Sequence, residues 1–148
     1  LNLDRPYRAA NQTLKSVTTL RLVRGFEDAE KLAALLPFVC AIDNSTDINV
    51  NTAPQEVLLS IGADMTSSDV SAIIAARESD PFESLTDLTN IEGLSAKIGN
   101  TIGLSVKTNH FLLTTRIEIG NARRTVYSVI RREDDGKTNL LARMHNSL

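Results

Sequence analysis

Cysteine occurs once in this chain of 148 residues and histidine twice. With Cys40 alone, an intrachain disulfide is excluded and the redox compartment stays open. Its neighbours Phe38, Val39 and Ile42 lead us to expect it buried as a small hydrophobe. His110 and His145 fall outside any zinc-ligand spacing. The chain has no Gly-x-Ser-x-Gly elbow, no glycine-rich phosphate loop and no nucleophile with an evident base. The paired acids Asp134-Asp135 sit in an expected hairpin turn. No enzyme is therefore expected, with no catalytic and no cofactor-binding residue. No apolar run approaches the roughly 18 to 20 residues that cross a bilayer. A secretory leader is missing too: the chain opens on Leu1-Asn2-Leu3-Asp4-Arg5 without an initiator Met, which reads as a cut with any targeting segment upstream.

What is present suffices for folding. Apolar residues make up 42% of the chain, enough to bury one core or two small ones without disulfides. The net charge of −2 hides a division along the chain. Residues 1–47 are balanced. Residues 48–103 carry Arg77 and Lys97 against eight acids, a net of −6, and residues 104–148 carry eight basic residues against four acids, a net of +4. Such a change of sign marks a subdomain boundary near residue 104.

The stretch from Ile48 to Gly62 is the most informative. It reads as a short extended run turning into a helix, with Thr52 as N-cap and Pro54 in the first turn. Val57, Leu58 and Ile61 fall on one face, and Gly62 is expected to leave the helix through positive φ. Upstream, Leu14, Val17 and Leu20 predict a helix over 11–23 ended by Gly25. Acids leading Leu32, Leu35 and Leu36 predict a second over 27–36, closed by Pro37. Phe38 to Ile42 reads as extended. Downstream, Thr66 with Asp69 and Ser84 with Asp87 are capping patterns that launch helices. Gly93 turns the chain into a last helix over 95–102.

After Gly103 the period changes. Phe111, Leu113, Thr115, Ile117 and Ile119 alternate with more polar positions, as in a half-buried strand. Gly120-Asn121 and Asp135-Gly136 are hairpin signals. Between and after them, residues 124–131 and 139–145 complete an antiparallel meander, to which 104–107 adds a short preceding strand. The fold class is thus α+β: an all-helical subdomain, helix-hairpin-helix-like, then a small antiparallel sheet. The expected domains are 1–103, helical, with 48–103 its acidic segment, and 104–148, the sheet.

Three features could bind something. The loop Asp43-Asn44-Ser45-Thr46-Asp47 offers hard oxygens to calcium, with Asp43 and Asp47 as the metal candidates; its spacing is not that of an EF-hand, and Asp/Asn runs also form local turns. No cofactor is required on this reading. The order of helix, glycine turn and helix is that of helix-hairpin-helix DNA-binding modules, but such binding needs Lys and Arg on phosphates, and the segment in question is acidic. Nucleic acid is not an expected partner, although the module remains the alternative function. Arg116, Arg123, Arg124, Arg131, Arg132 and Arg143 make the strands basic, either as a solvated face that discourages aggregation or as a contact for an acidic partner subunit.

The order of four motifs resembles the minor pseudopilin K family of type II secretion. They are Asn11 to Phe26, Leu36-Pro37-Phe38-Val39, Ile48 to Pro54, and a strand pair ending Leu140-Leu141-Ala142-Arg143. The resemblance implies a helical domain with a sterile-alpha-motif-like portion inserted before a pilin-type sheet, and an N-terminal hydrophobic helix that this chain lacks. It further implies a non-enzymatic subunit at the tip of the periplasmic pseudopilus, anchored to the inner membrane through that helix. Its partners would be the I- and J-type minor pseudopilins, other pseudopilins and the inner-membrane assembly platform. The family is associated with calcium. From the strand alternation we expect one sheet face, including Phe111, Leu113, Val126, Ile130 and Leu140, to be built to cover a helix.

Overall fold

A computed structural model of the chain describes residues 11–14, 16–42 and 46–145. It forms two units, residues 1–45 and residues 46–148.

In the first unit the helix expected over 11–23 is a 3₁₀ turn, Val17–Leu22, capped by the Ser16 hydroxyl, which accepts from the Thr18 N–H. Consecutive β-branched Val17, Thr18 and Thr19 disfavour a longer α-helix, and no residue of the turn is buried. Gly25 then reverses the chain at φ +97. Helix α1 is Ala29–Leu35, shorter than expected because Asp28 caps it, its carboxylate accepting from the Glu30 and Lys31 N–H groups. Glu27 stays outside and accepts from the Gly25 N–H at 2.7 Å. Leu36–Phe38 continues as a 3₁₀ turn, so of the stretch expected to be extended Phe38 is not, whereas Val39 is, at φ −132 and ψ 148. Cys40 is exposed, against expectation. Sequence neighbours bury a side chain only if they are themselves covered, and Val39 is exposed and Phe38 half-exposed.

The second unit opens with β1, Ile48–Asn49, and closes its helical module with β2, Leu104–Ser105. These pair in parallel, Ile48 opposite Leu104 and Asn49 opposite Ser105. The stretch after Gly103 therefore does begin with a strand, but its partner is β1 and not the meander. Between them lie α2 (Gln55–Leu58), α3 (Ser67–Ser79), α4 (Leu85–Thr89) and α5 (Leu94–Ile98). Both capping boxes form: Thr66 with Asp69 and Ser84 with Asp87. Helix α5 is one turn shorter at its C-terminus than expected, because Gly99 leaves it at φ +66.

Two details of the Ile48–Gly62 stretch differ from expectation. Pro54, not Thr52, is the N-cap of α2, and no side chain caps it. Gly62 has no positive φ; it is required by close approach, since a Cβ there would sit 2.7 Å from the Lys97 carbonyl oxygen. That same oxygen accepts from the Ala63 N–H at 2.9 Å, which fixes the α2–α3 turn on α5.

The core of this module is small and complete. Val50, Leu58, Ile73, Leu88 and Leu94 are fully buried, so the residue after β1 and each of α2, α3, α4 and α5 supply one large side chain. Each such side chain stabilises the fold by about 1.5 to 3 kcal/mol by leaving water. Val70, Phe82, Ile98 and Leu104 close the cluster.

The chain ends in a sheet ordered β3-β4-β5, with β3 His110–Ile119, β4 Ala122–Arg132 and β5 Thr138–His145. All pairs are antiparallel. Both expected hairpins form; at the second, the Glu133 N–H donates to the Lys137 carbonyl at 2.8 Å. A register shift at Val129/Ile130 leaves Leu141 as an extra residue in β5.

Candidate assembly surface

In the helical module a pair of half-buried polar side chains holds the Ile48–Pro54 stretch. Asn49 Oδ1 accepts from the Asn51 N–H at 3.0 Å and makes the turn. Asn51 reaches further: its Nδ2 donates to the carbonyls of Phe82 (2.9 Å) and Val106 (3.2 Å), and its Oδ1 accepts from the Phe82 N–H (2.9 Å). One amide thus satisfies backbone groups after α3 and after β2, as polar groups withdrawn from water require. Arg77 extends the apolar stripe of α3 by one turn, and its Nη1 donates to the carbonyls of Val50 and Ala53, both at 2.8 Å. The role of Arg77 was missed from sequence; an Arg in register with Val70 and Ile73/Ile74 was the signal.

Two of the eight acidic residues within 48–103, Asp69 and Asp87, are engaged in local structure. Asp69 accepts from Lys97 Nζ at 2.6 Å, joining α5 to the start of α3, and from the Thr66 N–H at 2.7 Å. The Lys97 ammonium, then the Thr66 hydroxyl and N–H, lower its pKa to about 2. Asp87 is lowered chiefly by the backbone N–H of Ser84. Both carboxylates serve as caps.

Of the two metal candidates, only Asp47 lies among the described residues, and Asp43 lies outside them. Asp47 is exposed, and among the described residues no three His, Cys, Asp or Glu side chains gather around a common point. His110 faces Arg131, whereas His145 faces Val126 and, beyond it, Thr115. The two imidazoles therefore lie on opposite faces of the sheet and cannot share an ion.

The sheet has the open surface. On one face the register aligns Phe111, Leu113, Thr115, Ile117 and Ile119 of β3 with Ile130, Ser128, Val126, Arg124 and Ala122 of β4. Leu140 and Arg143 of β5 continue that face. Leu113 and Leu140 are each 51% exposed, and Phe111, Ile117 and Ile119 are exposed as well. Val126 and Ile130 are half-buried, being on the central strand. Arg124, Arg132 and Arg143 rim this apolar strip, the Arg132 guanidinium carbon standing 5.3 Å from the centroid of the Phe111 ring. Of the basic residues on the other face, Arg123 pairs with Glu118 at 3.0 Å and Arg131 with Glu133 at 3.0 Å. An apolar strip with a cationic rim is a surface for a macromolecular partner.

Two family models, both described as Type II secretion system (T2SS), protein K, match residues 48–107 and 1–44. Type II secretion system protein K of Pseudomonas aeruginosa is 34% identical over 138 residues, covering 93% of this chain and 40% of that protein. The chain belongs to the type II secretion system protein K family. Protein K of Aeromonas hydrophila is 31% identical over 156 residues, covering 97% of this chain and 45% of that protein. The chain thus spans less than half the length of these protein K relatives. Its fold is similar to that of a chain in the crystal structure of the GspK-GspI-GspJ complex from the enterotoxigenic Escherichia coli Type 2 Secretion System. The TM-score is 0.68 at 24% identity, over 99% of this chain and 53% of that one. Among the described residues no helix is long and apolar enough to cross a membrane.

Proposed function

We propose that the chain is the structural, non-enzymatic portion of a minor pseudopilin that acts at the tip of a type II secretion pseudopilus in the periplasm. In this reading it assembles with I- and J-type minor pseudopilins, and through them with other pseudopilins and the assembly platform of the inner membrane. Membership of the protein K family is the observation that carries the reading. The apolar, Arg-rimmed sheet face supports it, because an uncovered strip of this kind is expected of a subunit whose partners supply the cover. On this reading the same face seats a pilin-type apolar helix, which would also anchor the protein to the inner membrane. The acidic helical segment, 48–103, is then a sterile-alpha-motif-like insertion that projects as a rigid cap.

A metal carries no step of this reading. Calcium at Asp43 and Asp47 is tested separately by thermal melts of the wild type and of Asp47→Asn with and without the ion.

The experiment that tests the function is co-expression with the I- and J-type minor pseudopilins of the same system. A stable three-protein complex is expected on size exclusion. Failure to co-purify would refute the assignment, and so would tight, salt-sensitive binding to duplex DNA, which is the signature of a helix-hairpin-helix reader.

A further inference from the structure

Both covalent connections of the helical module, residues 46–107, run through one short parallel strand pair. β1 stands at its start and β2 at its end. Because the strands are parallel, the chain arrives at one end of the pair and leaves from the other. A pull applied between residues 46 and 107 therefore acts along the strands, and every bond that crosses between them is loaded at once. An antiparallel pair would place both connections at the same end, where the bonds break in succession.

The crossing bonds are specific. The Ile48 N–H donates to the Gly103 carbonyl at 2.8 Å and the Val50 N–H to the Ser105 carbonyl at 2.9 Å. Asn51 Nδ2 adds a third to the Val106 carbonyl at 3.2 Å. Asn51 is itself held by two bonds to the Phe82 backbone, so the third bond is braced against the end of α3. Arg77 braces the carbonyls of Val50 and Ala53 from the same helix. Water is kept from the pair by Val50, fully buried, and Leu104, 7% exposed.

We propose that β1, β2 and the Asn51 side chain form a mechanical clamp, which resists extraction of the helical module through its own ends and yields readily to peeling from one end. The clamp depends on strand direction and on these bonds, and it stands whether or not the assembly partners are those proposed above.

The test is single-molecule force spectroscopy on the full 148-residue chain in a Cys40→Ser background. Handles on Thr46→Cys and Lys107→Cys load the pair in shear. Handles on Asp47→Cys and Ile102→Cys, both at the N-terminal ends of the strands, peel it; all four positions are exposed. At a common force we expect unfolding about tenfold slower in the shear geometry, since three net bonds must break together, and we expect Asn51→Ala to narrow that gap. Equal rates, faster unfolding in shear, or a gap that Asn51→Ala leaves unchanged would each overturn the clamp. The comparison of the two geometries uses the native clamp residues, so it does not depend on Asn51→Ala folding.

Discussion

Replacing Asn51 by Ala should destabilise the helical module far more than replacing Asn49, although the two stand two residues apart in one motif. Asn51→Ala removes three hydrogen bonds at 2.9, 2.9 and 3.2 Å. It leaves the Phe82 N–H and the Phe82 and Val106 carbonyls without that partner in a half-buried place. A net hydrogen bond contributes about 1 kcal/mol, and a buried group left unsatisfied costs about 1 to 3 kcal/mol, so the loss should be about 3 kcal/mol. Asn49→Ala removes one turn bond, Asn51 N–H to Asn49 Oδ1 at 3.0 Å, and should cost about 1 kcal/mol. Urea denaturation followed by far-UV circular dichroism gives both numbers. Amide exchange gives a sharper reading, because the Phe82 N–H should lose protection in Asn51→Ala and keep it in Asn49→Ala. Equal destabilisation by the two substitutions, or an unchanged Phe82 amide, would refute the view that Asn51 joins three segments.

Three further outcomes are expected. Asp69 has its pKa lowered to about 2 by Lys97 and Thr66. A depressed folded-state pKa gives stability that is fully present above the unfolded value of 3.8 and lost as pH falls toward 2. Acid titration of the melting temperature should therefore show a loss between about pH 4 and pH 2 that is smaller in Lys97→Met; identical profiles would exclude the ion pair as a cause. Gly62→Ala should cost about 1 to 3 kcal/mol, as an overpacked site does, because the added Cβ would meet the Lys97 carbonyl oxygen at 2.7 Å. An unchanged urea midpoint would show that α5 can move away. Leu113→Glu, on a side chain 51% exposed, should shift stability by no more than about 0.5 kcal/mol, as surface changes do. It should nevertheless abolish co-purification with the partner pseudopilins, and retention of the complex would place the interface elsewhere.

Much of this architecture was legible along the chain because its determinants are local. Thr66 with Asp69 and Ser84 with Asp87 form capping boxes within four residues, so the starts of α3 and α4 follow from composition alone. The alternation from Phe111 to Ile119, with Gly120-Asn121 and Asp135-Gly136, set the meander and its hairpins for the same reason. Charge counting was also local: it separated the acidic helices from the basic strands, and the Arg rim of the sheet was visible in it.

The remainder was decided by residues far apart in sequence that meet in space. Gly62 was read as a helix-terminating residue with positive φ, whereas its reason is the carbonyl of Lys97, which no window around residue 62 contains. Thr52 looked like a cap, but the bonds that hold its loop come from Arg77 and Asn51, each reaching across more than one element. Cys40 was expected inside because its neighbours are apolar, yet burial belongs to a neighbourhood in three dimensions and that neighbourhood is open. The chain by itself determined where α3, α4 and the strands of the meander begin, and the family to which it belongs. Only the tertiary structure decided that β2 pairs with β1 in parallel, that a single asparagine joins both ends of the helical module, and that an apolar sheet face is left for another surface to cover. Pairing and burial are relations between distant positions, and periodicity records nothing of them.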